Sequence, residues 1–214
     1  REPEIVDLVN MLKKMGAIIS GEGTNIIQIE GVKELKEVKY RIMPDRIETG
    51  TFLCAGAITG GKIKVTNCIP EHIVPITSKL EEAGCNILIE KNSIELKAPT
   101  RLKAVELKTM PYPGFPTDMQ SVFASMLTVA KGTSVIVENI FESRYKYMSE
   151  LMKMGAKITI EGKTAVIKGV RKLYGAKVES TDLRGGAALV TAGLAAKGRT
   201  VVTNIEYILR GYEK

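Results

Sequence analysis

One pattern returns three times along the sequence and governs what the chain can fold into. Pro3 to Val32 reads as a helix ending at Gly16, followed by two strands around Glu22-Gly23-Thr24-Asn25. Pro70 to Ala98 repeats it through Gly84 and Glu90-Lys91-Asn92-Ser93, and Glu142 to Val170 through Gly155 and Glu161-Gly162-Lys163-Thr164. Glu22, Glu90 and Glu161 each stand six residues after the helix-ending glycine. A glycine there suits a helix that leaves through the left-handed region, and the tetrads suit hairpin turns. Pro3 and Pro70 suit a first helical turn.

A second half-unit alternates with the first: an Asp, an apolar helix, a glycine turn and a strand. It spans Asp45 to Cys68, Asp118 to Ile140 and Asp182 to Glu206, and the Asp-to-Gly intervals to Gly61, Gly132 and Gly198 are 16, 14 and 16 residues. Three copies of each half-unit, with helices alternating with strands, predict a pseudo-threefold α/β domain.

The chain has 214 residues, 44% of them hydrophobic, which supports one good core or two small ones without disulfides or metals. Cys54, Cys68 and Cys85 are far apart, with no C-x-x-C pair and only His72 to share a metal. We expect three free thiols, no metal, no cofactor and a reducing, cytoplasmic setting. His72 reads as a surface residue. No apolar run reaches the ~18 residues of a membrane span, and Arg1-Glu2-Pro3-Glu4 resembles neither a signal peptide nor a natural start. The net charge of +7 raises nucleic acid as a partner. The lysines, however, alternate with acids along the chain, so small anionic substrates are the better reading.

Departures from the repeat mark candidate site residues. Eleven residues before the helix-ending glycine stand Ile5, Ile73 and Arg144. The neighbouring positions stay apolar, as in Leu12, Leu80 and Leu151. Arg144 is expected in a first helical turn, where the macrodipole disfavours a cation by roughly 0.3–1 kcal/mol unless an anion is near. It either pairs with Glu142 or reaches solvent, or it binds an anionic ligand. Asp45, Asp118 and Asp182 each read first as helix N-caps. Asp118, though, follows Pro111-Tyr112-Pro113-Gly114-Phe115-Pro116-Thr117, a rigid approach of the kind that holds site residues. Asp182-Leu183-Arg184-Gly185-Gly186 opens a helix where backbone amides can meet an anion, or is simply a capped helix with close glycine packing. Arg210 stands near the chain end, where an arginine is ordinarily solvated. Two carboxylates and three arginines, with no histidine among them, suit an anionic substrate and proton transfer.

At these residues the sequence resembles the UDP-N-acetylglucosamine enolpyruvyl transferases. The matching segments are Pro44-Asp45-Arg46-Ile47-Glu48-Thr49-Gly50-Thr51-Phe52, Pro113 to Gln120, Thr181-Asp182-Leu183-Arg184 and Arg210-Gly211-Tyr212-Glu213. The resemblance covers essentially the whole chain. It implies an inside-out α/β barrel with substrates bound between two domains, and transfer of enolpyruvyl from phosphoenolpyruvate to the 3′-hydroxyl of UDP-N-acetylglucosamine, a step in bacterial cell-wall precursor synthesis. By position, Asp118 would accept the hydroxyl proton and Asp182 would assist proton transfer. Arg144 and Arg184 would hold the phosphoenolpyruvate carboxylate and Arg210 its phosphate, while Thr117 and Asp118 would line the nucleotide-sugar site. Ser143, Gly185-Gly186 and Leu209 depart from the family's Asn, Ala-Ser and Asp.

The resemblance also implies an absence. The family's loop with a reactive Cys or Asp, a phosphate-binding Lys and further arginines lie in the other domain, upstream of Arg1. The chain alone is therefore expected to be inactive. Residues 1–36 correspond to the half-unit that closes the upstream domain, and 37–214 to a C-terminal domain without its last half-unit. We expect residues 1–36 to fill that vacancy, within the chain or by exchange in a dimer. Competing readings are a catalytically silent paralogue or binding domain, and an RNA-end-processing protein built from similar repeats.

Overall fold

The computed structural model describes residues 1–212. Glu213 and Lys214, and with them the end of the Arg210-Gly211-Tyr212-Glu213 stretch, lie outside the described residues. The chain opens with helix α1 (Pro3–Lys14) and a short hairpin, β1 (Ile18–Ser20) and β2 (Gln28–Glu30). Then follow α2 (Arg46–Ile58), β3 (Lys62–Thr66), a 3-10 turn (Pro70–Ile73), α3 (Val74–Glu82), β4 (Asn86–Glu90) and β5 (Ser93–Lys97). The middle unit contains β6 (Glu106–Lys108), α4 (Thr117–Leu127), β7 (Thr133–Val137), α5 (Lys146–Lys153), β8 (Lys157–Glu161) and β9 (Thr164–Lys168). The last comprises β10 (Lys177–Glu179), α6 (Leu183–Ala195), β11 (Val201–Thr203) and a 3-10 segment (Ile205–Arg210).

The repeat is expressed in the sheets. The middle unit forms the four-stranded order β6-β7-β9-β8, with β6 parallel to β7 across helix α4 and the remaining pairs antiparallel. The first unit forms β3-β5-β4 with the corresponding register, Lys62 opposite Lys97 where the middle unit has Thr133 opposite Lys168. The third forms β10-β11, again parallel across a helix. Among the described residues β11 has no hairpin strand on its far side, and β1-β2 stands as a separate pair.

The three helix-ending glycines behave alike, with φ of +102°, +97° and +94° at Gly16, Gly84 and Gly155. In each, the glycine amide donates to the carbonyl three residues back and the next amide to the carbonyl five back, as in Gly84 to Glu81 and Cys85 to Leu80. This double bond pattern closes the helix and aims the chain into the first hairpin strand. Two hairpins turn at the expected tetrads. In the first copy the strands pair only as Ile18–Ser20 with Gln28–Glu30, so the turn widens to a seven-residue loop held by Thr24, whose hydroxyl faces the carbonyls of Gly21 and Ile26.

Helices α2, α4 and α6 form the interior layer. Every residue from Met119 to Leu127 is buried, so α4 is enclosed on all sides by apolar and small side chains apart from Gln120, which accepts from the Tyr147 hydroxyl at 3.0 Å. Phe115 and Phe123 meet edge to face at 5.2 Å and anchor the Pro-rich loop to this helix. All three cysteines are buried free thiols. Burial pushes the Cys85 thiol up to about 11 and the Cys54 thiol higher still, so neither is nucleophilic. His72 is half-buried rather than on the surface, and its Nδ1 is enclosed without a partner. Burial, then the nearby Arg46 charge, lowers its pKa.

Residues 1–36 dock through acidic side chains. Glu4 receives Arg46 bidentately at 2.7 and 3.3 Å, Asp7 receives the Tyr40 hydroxyl at 2.8 Å, and Glu2 receives the Tyr112 amide at 3.4 Å. Among the described residues no hydrogen bond or ion pair joins 1–36 to 182–206. Within one chain, therefore, the polar contacts of the half-unit run to the segment before α2, the start of α2 and the loop before α4.

Candidate active site

The three interior helices begin at the same end of the domain, where pseudo-equivalent positions carry different chemistry. Asp45 and Asp182 are N-caps: Asp45 Oδ1 accepts from the amides of Ile47 and Glu48, and Asp182 Oδ1 from those of Arg184 and Gly185. Asp118 is not a cap. Pro116 occupies that position in α4, which places Asp118 in the first helical turn with its side chain making no cap bond.

That side chain bridges two arginines. Arg144 Nη2 donates to Asp118 Oδ1 and Arg184 Nη2 to Asp118 Oδ2, both at 2.7 Å. The arginine side chains are 17% and 16% exposed and the aspartate 37%, so the cluster faces solvent through its carboxylate. Burial alone would raise the Asp118 carboxyl, but the Arg184 and Arg144 guanidiniums outweigh it and hold the pKa below the usual carboxylate range. For Arg184 burial opposes the charge, yet Asp118 and then Tyr212 raise its pKa further. Arg144 does not lie within a helix, since α5 starts only at Lys146, and its ion-pair partner is Asp118 rather than Glu142. Its guanidinium also stacks on Phe141 at 4.7 Å.

Two adjoining hollows open from this cluster and share Asp118, Arg184, Ile140 and Phe141. One, of about 720 Å³, runs beneath α1 between Ile5, Arg46 and Thr117. The other, of about 880 Å³, is bounded by Arg144, Thr181 and Asp182. The expected residues Thr117, Asp118, Arg144, Asp182 and Arg184 thus line connected space. Arg210 does not: it is exposed in the last 3-10 segment, over the Tyr207 ring at 5.6 Å, and lines neither hollow. Its neighbours do reach the helix starts. Tyr212 Oη lies 2.8 Å from Thr51 Oγ1, and Gly211 abuts Leu183.

Two participants escape a reading of the sequence. Glu138, 1% exposed, accepts from the Thr117 hydroxyl at 3.0 Å, and Phe141 carries Arg144. For Glu138 a signal exists: the residue that follows the interior-helix strand is Asn67 in the first unit and Asn204 in the third, both left-handed, but Glu138 in the second. Phe141 has no such signal. The Asp118 bridge was also visible in part, because its interval to the glycine is 14 residues where the two capping aspartates have 16. Counting 16 back from Gly132 lands on Pro116, the N-cap, and moves Asp118 two places into the helix.

A chain of this architecture has close structural likenesses. It superimposes on the enolpyruvyl transferase NikO from Streptomyces tendae with a TM-score of 0.86 and 27% identity, covering 99% of this chain and 51% of that one. An EPSP synthase from Acinetobacter baumannii, at 20% identity and a TM-score of 0.73, shares the fold over 95% of this chain. Fold and site together define an inside-out α/β domain of the enolpyruvyl transferase type. The family model of EPSP synthase (3-phosphoshikimate 1-carboxyvinyltransferase) matches residues 1–214, and the chain belongs to that family. It is 55% identical over 213 residues to UDP-N-acetylglucosamine 1-carboxyvinyltransferase 1 of Caldanaerobacter subterraneus subsp. tengcongensis. It is 56% identical over 213 residues to UDP-N-acetylglucosamine 1-carboxyvinyltransferase of Geotalea uraniireducens. The chain spans about half the length of these curated relatives, 51% of each.

Proposed function

We propose that the chain supplies one half of a cytoplasmic transferase that passes enolpyruvyl from phosphoenolpyruvate to the 3′-hydroxyl of UDP-N-acetylglucosamine, releasing phosphate for cell-wall precursor synthesis. The observation that carries this reading is the carboxylate of Asp118 held between Arg144 and Arg184 at 2.7 Å on each side. An incoming carboxylate can take over both guanidiniums, since it offers them the same bidentate partner. Asp118, released from the two cations, then regains basicity beside the substrate hydroxyl.

In the reaction the sugar oxygen adds to C2 of phosphoenolpyruvate as its proton passes to Asp118, while C3 gains a proton from an acidic group of the other half, which takes a C3 proton back in the elimination. Loss of a C3 proton then expels phosphate and restores the double bond. Arg144 and Arg184 stabilise the carboxylate, and Asp182, at the rim of the second hollow, assists the proton movements while capping α6. Arg210 holds the phosphate, for which it must leave its position over Tyr207. No helix among the described residues is long and apolar enough to cross a membrane.

The test is phosphate release from phosphoenolpyruvate that depends on UDP-N-acetylglucosamine. The chain alone is expected to give none, because anion stabilisation is shared with the other domain. Joined to the other half of the Caldanaerobacter relative, it is expected to turn over, and Asp118→Asn should lower turnover far more than affinity for UDP-N-acetylglucosamine. Turnover by the chain alone at about 1 per second or more refutes the half-site reading. A folded, substrate-binding chimera in which Asp118→Asn stays within about threefold of the parent, on the order of 0.6 kcal/mol, refutes the role of Asp118.

A further inference from the structure

Glu138 is a buried carboxylate at the edge of the site that the reaction does not use. Its side chain takes four hydrogen bonds and, among the described residues, no ion pair. Oε1 accepts from the Thr109 hydroxyl at 2.8 Å and from the amides of Ile140 and Phe141 at 2.8 and 3.1 Å. Oε2 accepts from the Thr117 hydroxyl at 3.0 Å. Thr109 is itself fully buried and receives the Asn139 amide at 2.9 Å, so its own proton is committed to Glu138. One carboxylate therefore joins the end of β6, the end of β7, the loop toward Arg144 and the first residue of α4.

Burying a charge without a cation is costly unless every lone pair is engaged. The other two units avoid the cost by placing Asn67 and Asn204 at the same point in a left-handed turn, so the acid is not needed to build the repeat. What it adds is polarity. A carboxylate accepts and cannot donate, so the single proton of the Thr117 hydroxyl must point at Glu138. The lone pairs of that hydroxyl are then left for the hollow that Thr117 lines.

We propose that Glu138 is a positioning residue that fixes the Thr117 hydroxyl as a hydrogen-bond acceptor, so that the substrate group meeting Thr117 must be a donor, a hydroxyl or an amide N–H. This rests on the nucleotide-sugar reading above and adds a polarity rule to it. The discriminating variant is Glu138→Gln. Its oxygen can keep the Thr109, Ile140 and Phe141 bonds, but its NH₂ faces Thr117 and reverses that one bond, turning the hydroxyl proton toward the hollow.

The experiment uses the chain itself, titrated calorimetrically with UDP-N-acetylglucosamine. Glu138→Gln should weaken binding by about tenfold, as one misdirected hydrogen bond does. Thr117→Val should do the same, and the double variant should be no worse than Thr117→Val alone, because both changes remove one interaction. Full additivity of the two losses overturns the proposal, as does unchanged binding by Glu138→Gln. If the wild-type chain alone binds no UDP-N-acetylglucosamine, the titration is made on the chimera with the other half of the Caldanaerobacter relative; no binding there counts against the proposed function, and the positioning role is then decided without ligand. Glu138→Ala should speed hydrogen exchange at the Ile140 and Phe141 amides by about tenfold or more while Ile136 and Ile167 keep theirs. Unchanged exchange at Ile140 and Phe141 overturns it.

Discussion

Replacing Asp118 by Asn should have two effects of opposite sign in this chain: lower stability and tighter binding of a small carboxylate anion. Asp118 accepts two charge-assisted hydrogen bonds of 2.7 Å. Bonds to charged groups contribute about 1.5–3 kcal/mol each. The aspartate side chain is 37% exposed, so solvent screening brings the pair down to about 2 kcal/mol in total. Asn keeps one oxygen for one arginine and turns an NH₂ toward the other, so we expect a loss of about 1–2 kcal/mol and a Tm lower by about 5 °C. The same substitution removes the group an incoming anion must displace. Phosphoenolpyruvate should bind the variant about tenfold more tightly, or about 1.4 kcal/mol. The pH dependence follows from the depressed carboxyl of Asp118. Its contribution is complete above the unfolded value of about 3.9 and disappears as pH falls through the lower folded value. The two proteins should therefore differ at neutral pH and converge in melting temperature under strong acid. Calorimetric titration with phosphoenolpyruvate and melting scans from neutral to acid pH make the test. Weaker or unchanged anion binding by Asp118→Asn would refute the idea that the aspartate occupies the anion site.

Three further outcomes check the packing. A Cβ on Gly186 would lie 2.5 Å from Ile208 Cγ1 and against Ser180 Oγ. Gly186→Ala should therefore cost about 1–3 kcal/mol in urea unfolding, and a neutral change would show that the last 3-10 segment does not press on α6. Asp182→Ala removes the acceptor for two helix-start amides and should destabilise by about 0.5–2 kcal/mol, with no loss seen if another group caps α6. Exchange of residues 1–36 between neighbours, if it occurs, predicts a species of twice 23.4 kDa in sedimentation that deletion of 1–36 abolishes; a monomer at every concentration rejects it.

Periodicity and turn chemistry are local properties, and they were legible along the chain. The glycines at 16, 84 and 155 end their helices in the left-handed region because only a residue without Cβ does so freely, and any sequence carrying them states as much. The alternation of half-units is likewise expressed in the matching registers of β3 with β5 and β7 with β9. The site was legible only as a set of departures: Arg144 where an aliphatic belongs, and Asp118 two residues out of step with its capping counterparts.

What those departures do was decided by distance through space. Asp118 meets partners 26 and 66 residues away, and although its interval to Gly132 takes it off the cap, nothing in its own segment says that it bridges two guanidiniums. Arg210 stands two residues from Tyr212, yet the fold turns the arginine outward and brings the tyrosine to Thr51. Glu138 resembles any solvent-facing acid at a strand end until β6, β7 and α4 converge to bury it. A repeat fixes where each unit's backbone goes, because backbone hydrogen bonds and turn geometry are short-ranged. Which side chains share a charge environment depends on how three units close around one axis, and that follows only from the packed tertiary structure.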